Sequence, residues 1–285
     1  MLKRSSLLLL PVLAAACAGA PQVTPQRAGS DAPLATTPSR RERIREILAS
    51  NVRLEFRDGE ETKRTASGVV VASEASLQGG ASYILTNAHA LDDRGFKDPR
   101  LLVAVERDGE EQEYIGEVLA VGTVPDMDLA LLRVRGVRLP SVQLAGADEL
   151  EVGEEVVVAA SPFGRSVSLA SGMVSRVELE PRTRVPRMVK TDAPVGYGSS
   201  GGGIYSVETG RLLAIVEGYR TAKMGFNVAE ERYSFEVPMP GETFAAPASK
   251  VRAFMDANGL TRLLAPEDAS AVSTAPLAPA AAKPD

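Results

Sequence analysis

Tyr83-Ile84-Leu85-Thr86-Asn87-Ala88-His89 is an apolar run that reads as a strand and ends on the only histidine in 285 residues. One imidazole limits its own roles. A multi-histidine metal site is excluded. A general base needs only a nucleophile and an orienting carboxylate. Two other stretches offer them: Asp128-Leu129-Ala130-Leu131-Leu132, and Ser200 within Gly198-Ser199-Ser200-Gly201-Gly202-Gly203.

Outward from this run, the pattern is that of strands. Val69-Val70-Val71, Leu101 to Val105, Val118 to Val121, Leu129 to Val134, Val156 to Ala160 and Leu212 to Val216 are short and rich in β-branched residues. Asp58-Gly59 and Asp108-Gly109 are two-residue hairpin signals. Many short strands at this spacing predict a closed all-β architecture. Helices are expected only at its flanks. Ser39-Arg40-Arg41-Glu42 is a capping-box pattern followed by an apolar face of Ile44, Ile47 and Leu48, ending near Ser50. A second helix is predicted from Lys250 to Asn258, with Ser249 as N-cap and Gly259 as its stop.

Hydrophobic content of 44% and charged content of 24% belong to an ordinary globular chain. A net charge of -5 argues against a nucleic-acid partner, which requires a basic face. The basic stretch Arg182, Arg184, Arg187 and Lys190 is interrupted by prolines and reads as a solvated loop. Lys3 and Arg4 followed by the apolar run Leu7 to Ala16 form an export signal too short to span a bilayer. Cys17, the only cysteine, follows Leu13-Ala14-Ala15-Ala16, which resembles the bacterial lipobox. This predicts a signal peptide over 1–16, a lipid on Cys17 and a flexible tether over 17–39, the alternative being a conventional secretory cleavage near Ala18 or Ala20 that discards Cys17. Ala18 lacks the aspartate associated with inner-membrane retention, so the expected location is the outer membrane, facing the periplasm. Eight alanines and four prolines in residues 265–285 predict a disordered tail.

The chemistry of the three groups is that of acyl transfer. A serine hydroxyl needs a neighbouring base to take its proton, and imidazole suits the task. The carboxylate fixes the imidazole tautomer. Glycines around Ser200 permit an unusual backbone path, on which Gly198 N–H and Ser200 N–H are the expected oxyanion donors. Asp126 is the rival carboxylate to Asp128, and Glu217 is read as a solvated side chain or a contributor to the substrate pocket wall.

These motifs resemble, in order, those of the high-temperature-requirement (HtrA/Deg-like) trypsin-fold proteases. Ser67-Gly68-Val69-Val70, Leu85 to His89, Asp128 to Leu132, Ser161-Pro162-Phe163-Gly164, Ser171 to Ser175, Thr191-Asp192-Ala193 with Gly198 to Gly202, and Phe244 to Pro247 carry the likeness over roughly 52–258. The resemblance implies two six-stranded antiparallel β-barrels, over about 52–140 and 150–258, within a protease domain spanning 40–264. His89 and Asp128 would come from the first barrel and Ser200 from the second. It also implies a serine endopeptidase acting on polypeptides without metal or cofactor, and a homo-oligomer, often a trimer, for which the helix from Arg40 is a candidate contact. The same helix reads equally well as packing on its own barrel.

The sequence departs from the family at several positions. Ser199 stands where asparagine is usual, Gly196 and Tyr197 replace the usual polar pair, and no PDZ domain follows. The insertion from Gly218 to Gly241 reads either as a hairpin beside the substrate cleft or as a surface excursion with its own apolar cluster. Two functions follow from the reading: a membrane-tethered serine endopeptidase, or a catalytically silent trypsin-fold lipoprotein that binds peptides or envelope partners.

Overall fold

Val69-Val70 and Leu131-Leu132 are pairs of neighbouring strand residues that are all fully buried, which a one-sided sheet does not allow. Side chains alternate across a strand, so both faces must be covered. In the computed structural model, which describes residues 38–75, 79–107, 109–146, 148–228 and 231–264, two closed barrels supply the cover. Val70 and Leu132 point into the first barrel with Leu54, Ile84 and Val103. Val69 and Leu131 face a second apolar layer with Val157, Tyr205 and Leu212 of the other barrel.

The first barrel is built from β1 (Asn51–Asp58), β2 (Glu61–Glu74), β3 (Ala81–Thr86), β4 (Pro99–Arg107), β5 (Glu110–Val121) and β6 (Ala130–Arg135), closed in the order β1-β2-β3-β6-β5-β4. The second contains β7 (Glu155–Ala160), β8 (Ser168–Leu179), β9 (Pro186–Thr191), β10 (Gly203–Ser206), β11 (Leu212–Val228) and β12 (Glu231–Pro247), in the order β10-β11-β12-β9-β8-β7. The ladders between these strands are antiparallel, as in Val69↔Leu85 and Leu85↔Leu131. The expected fold of two six-stranded antiparallel barrels is the one observed. The leader, Cys17, the tether as far as Thr37, Asp108 and the tail from 265 lie outside the described residues.

Helix α1 (Arg40–Ala49) begins with the predicted capping box: Ser39 Oγ accepts the Glu42 N–H, and Glu42 accepts the Ser39 N–H at 2.7 Å. Ile47 is buried in the layer between the barrels, and Arg43 donates to the Val207 carbonyl, so α1 packs on its own chain. Immediately after it, the Asn51 amide donates to the Tyr205 hydroxyl at 2.7 Å, tying β1 to β10. Helix α2 (Ala248–Ala257) buries Val251, Phe254 and Met255. Its N-cap is Pro247, not Ser249. β12 runs without a break into the helix, and the Ser249 hydroxyl instead donates to the Pro186 carbonyl at the start of β9.

The insertion is a long hairpin formed by the outer parts of β11 and β12. Phe226 stacks on Tyr233 and meets Phe235 edge-on, on an exposed face. Of the basic stretch, Lys190 is not solvated: it is half-buried against Glu242 at 2.6 Å.

Ile47 is the one fully buried residue of α1, and it belongs to an apolar layer to which both barrels and α2 contribute. Ile47→Ala is expected to lower the unfolding free energy by about 2–5 kcal/mol, the usual range for emptying such a site. Urea unfolding followed by circular dichroism would read the change.

Candidate active site

β3 ends at Thr86, and a single 3-10 turn then places His89 at the cleft between the barrels. Arg64 of β2 holds that turn, donating to the carbonyls of His89, Ala90 and Asp92. On the facing segment, Asp128 precedes β6 and is 8% exposed. Its Oδ2 lies 2.6 Å from His89 Nδ1, and its Oδ1 accepts the His89 backbone N–H at 2.8 Å. The buried Asn87 amide donates to the Asp128 carbonyl at 2.8 Å. Both carboxylate oxygens are therefore spent on one residue, which fixes ring position and tautomer together. Burial works against the Asp128 carboxylate, but the two bonds from His89, with the nearby charges of His89 and Lys250, hold its pKa below the ordinary value. Asp126 lies exposed, and Asp192 accepts the Met173 N–H, so neither competes for the imidazole.

Ser200 comes from the second barrel, in the turn between β9 and β10. Its hydroxyl donates to the Glu217 carbonyl at 3.4 Å, and no hydrogen bond among the described residues joins it to His89. Its backbone is docked on the first barrel: Ser67 N–H donates to the Ser200 carbonyl at 2.8 Å. Gly201 (φ +85°) sits so close to that strand that a Cβ there would lie 2.1 Å from the Ser67 carbonyl. No side chain fits at this contact.

Peptide geometry leaves two backbone N–H groups of the Ser200 turn open. The Tyr197 carbonyl accepts the Phe163 N–H at 2.6 Å, and the Ser199 carbonyl accepts the Gly202 N–H at 3.0 Å. In a planar trans peptide the next N–H points the opposite way. Gly198 N–H and Ser200 N–H are thereby turned away from both partners, and neither donates to a protein acceptor among the described residues. Gly198 adopts φ +88°, which favours glycine, and its carbonyl accepts the Ser67 hydroxyl at 2.8 Å. Ser199 Oγ accepts the Gly196 N–H and closes the turn.

Beside Gly196 and Ser199 is a cavity of 430 Å³ lined by Val158, Ala160, Ala170, Val195, Phe163 and Tyr219 among others. Its lining carries no charged side chain. Tyr219 and Pro238, at the base of the long hairpin, form part of its wall. Glu217 does not reach this cavity. It is half-buried and paired with Lys250 at 2.8 Å, against the expectation of a solvated or pocket-wall side chain.

Several of these roles have little sequence signal. Arg64 and Asn87 act through the backbone of the residues they hold, and Ser67 shows only as part of a family-like motif.

Residues 66–215 match the model of the trypsin-like peptidase domain. Over 168 residues the chain is 33% identical to a probable periplasmic serine endoprotease, DegP-like, of Pseudomonas putida strain F1, a match covering 58% of this chain and 31% of that protein. A DegP-like relative from Ectopseudomonas mendocina is 32% identical over 181 residues, or 63% of this chain and 34% of the relative. The chain thus spans about a third of the length of these relatives. Among solved structures, a serine endoprotease from Yersinia pestis aligns with a TM-score of 0.57 at 21% identity, covering 80% of this chain and 68% of that one. Deg5 aligns with a TM-score of 0.53 at 23% identity, covering 74% and 89%. These two show the shared fold.

The Ser67 hydroxyl accepts the Ser161 N–H and donates to the Gly198 carbonyl. Ser67→Ala is expected to leave both buried groups unpaired, at a cost of about 1–3 kcal/mol. Denaturant melts would measure that cost, and a slower reaction of Ser200 with a fluorophosphonate would report the loosened Gly198 turn.

Proposed function

We propose that this chain, which belongs to the trypsin-like peptidase domain family, is an exported serine endopeptidase that cleaves polypeptides with His89, Asp128 and Ser200. The observation that carries the reading is the His89–Asp128 dyad beside a glycine turn whose Gly198 and Ser200 N–H groups have no protein acceptor among the described residues. In this mechanism, His89 Nε2 removes the Ser200 proton as Oγ attacks the peptide carbonyl. The two N–H groups hold the oxyanion of the tetrahedral intermediate. The imidazolium gives its proton to the leaving amine, and water, deprotonated by the same ring, hydrolyses the acyl-enzyme. Asp128 stabilises the imidazolium in both halves.

The resting hydroxyl points at Glu217 rather than at the base. A contact of 3.4 Å is at the limit of hydrogen bonding, so exchanging it for the imidazole costs little. The uncharged 430 Å³ cavity suits an apolar substrate side chain next to the scissile bond. The periplasmic description of the relatives and the apolar N-terminal run support export. Cys17, placed as an acyl acceptor, supports anchoring in the envelope, and a lipoprotein N-terminus with several acyl chains holds firmly where one chain does not.

Purified protein is expected to react with a fluorophosphonate at Ser200 and to cut unfolded casein after apolar residues, as peptide mass mapping would show. Ser200→Ala and His89→Ala should each lower kcat by on the order of a millionfold. Wild-type cleavage by His89→Ala would remove the imidazole from the mechanism. A folded wild type that neither labels nor cleaves would make the chain a peptide-binding module instead.

Cys17→Ser is expected to move the protein from the detergent-dependent membrane fraction to the soluble one, read by immunoblotting of fractionated cells. Continued membrane retention would exclude the lipid as the anchor.

A further inference from the structure

Glu217 is an extra residue in its strand. On β11, Val216 pairs with Ala245 and Gly218 with Phe244, so Glu217 has no partner on β12. A bulge of this kind takes one peptide out of the ladder and re-aims its side chain. Here the freed carbonyl accepts the Ser200 hydroxyl, and the carboxylate meets Lys250 of α2 at 2.8 Å. Their side chains are only 12% and 16% exposed.

Such a pair is a poor device for stability, because desolvating two charges offsets most of their attraction. Lys250 also stands in the first turn of α2, where the helix dipole disfavours a cation. The reason for the pair lies in its neighbours. Asp128 and His89 both act electrostatically on Glu217, and Lys250 acts on Asp128. Burial pushes the Glu217 carboxyl up and Lys250 pulls it back. Further out, Asp126, Glu178, Glu180 and Arg187 line the same 700 Å³ cavity as the pair, and Arg187 is engaged by Glu178.

We propose that Glu217 and Lys250 are a positioning pair that balances the charge behind the His89–Asp128 dyad and so sets where the imidazole gains and releases its proton. Without Lys250, a second buried carboxylate would stand beside Asp128. Without Glu217, the Lys250 ammonium would compete with the imidazole for Asp128. The pair keeps the Asp128 charge available to His89 while the Glu217 backbone holds the nucleophile. This role rests on the proposed protease chemistry, but the field it describes exists whether or not the enzyme turns over.

The single histidine makes the test direct. In full-length protein without a histidine tag, one imidazole Cε1–H resonance reports the titration of His89. Glu217→Gln leaves the ammonium uncompensated and disfavours the imidazolium. Its midpoint is expected to fall by on the order of half a pH unit to one unit. Glu217→Gln/Lys250→Met, which removes both charges, and Glu217→Asp, which keeps them, should return close to the wild-type midpoint. Glu217→Thr, a good strand former, replaces the glutamine variant if that one fails to fold.

Kinetics give a second reading that mere loosening would not reproduce. The acid limb of kcat/KM in Glu217→Gln should move to lower pH while kcat on the alkaline plateau drops roughly three- to tenfold, since the transition state carries the imidazolium. A midpoint in Glu217→Gln unchanged from wild type, or the same shift in the double variant, would overturn the proposal. If wild type reacts with a fluorophosphonate and Glu217→Gln shows no such shift, this inference alone fails. Shifted midpoints in a protein that never reacts sink the protease reading alone.

Discussion

Every polar group of Ser67 is used, and three of its four hydrogen bonds reach residues that build the nucleophile side of the site. Its N–H donates to the Ser200 carbonyl, its hydroxyl donates to the Gly198 carbonyl and accepts the Ser161 N–H, and its carbonyl accepts the Thr86 hydroxyl. The residue is fully buried, so none of these groups has water as an alternative. An unpaired group here costs its whole desolvation. The two barrels are therefore held in register at the one strand where β2 of the first touches the Ser200 turn of the second. Apolar packing of Leu85, Leu131, Val157 and Tyr205 brings the barrels together without direction. The Ser67 bonds convert that contact into a defined position, as the proposed chemistry between groups on different barrels requires.

The charges around the cleft are layered in the same way. Asp128 spends both oxygens on His89, and the cost of burying it is met by those two bonds. Behind it stands a second carboxylate, Glu217, which a chain could not leave there alone. Its partner arrives from α2, the last well-formed helix, whose own burial depends on Val251, Phe254 and Met255 filling the layer between the barrels. The electrostatics of the dyad are thus linked to the docking of a helix more than a hundred residues away in sequence.

Much of this arrangement was legible in the residues, and the limits are physical. β-branched runs such as Val69-Val70-Val71 announced strands because both of their faces are buried, and the capping box at Ser39 is a local signal with a local cause. β8 was read only through its family likeness, since nearly all of its side chains are exposed or half-buried and carry no alternation. β9 was hidden in a proline-flanked basic stretch whose Lys190 is in fact paired with Glu242. Ser249 matched the helix-cap pattern, yet β12 runs directly into α2 and makes Pro247 the boundary. The triad candidates could be named because His89 is the only histidine and Asp128 and Ser200 stand in ordered, family-like motifs. Glu217 could not be read, because a bulge is a mismatch between two strands and neither strand encodes it alone.

The bulge also explains how one residue can serve both the proposed nucleophile and the proposed base. In a regular ladder the carbonyl of β11 at this point would be committed to β12 and closed to Ser200. Removing one rung frees the carbonyl on the cleft side and turns the carboxylate toward α2. The Ser200 hydroxyl then rests on a long contact that is easily given up, while Gly201 and Gly202 on the same turn stay locked to Val216 by bonds of 2.9 and 2.8 Å. The strand is rigid where it must hold the backbone of the nucleophile and permissive where the hydroxyl must turn. A site assembled from two barrels needs both properties within a few residues, and a single inserted residue in one strand provides them.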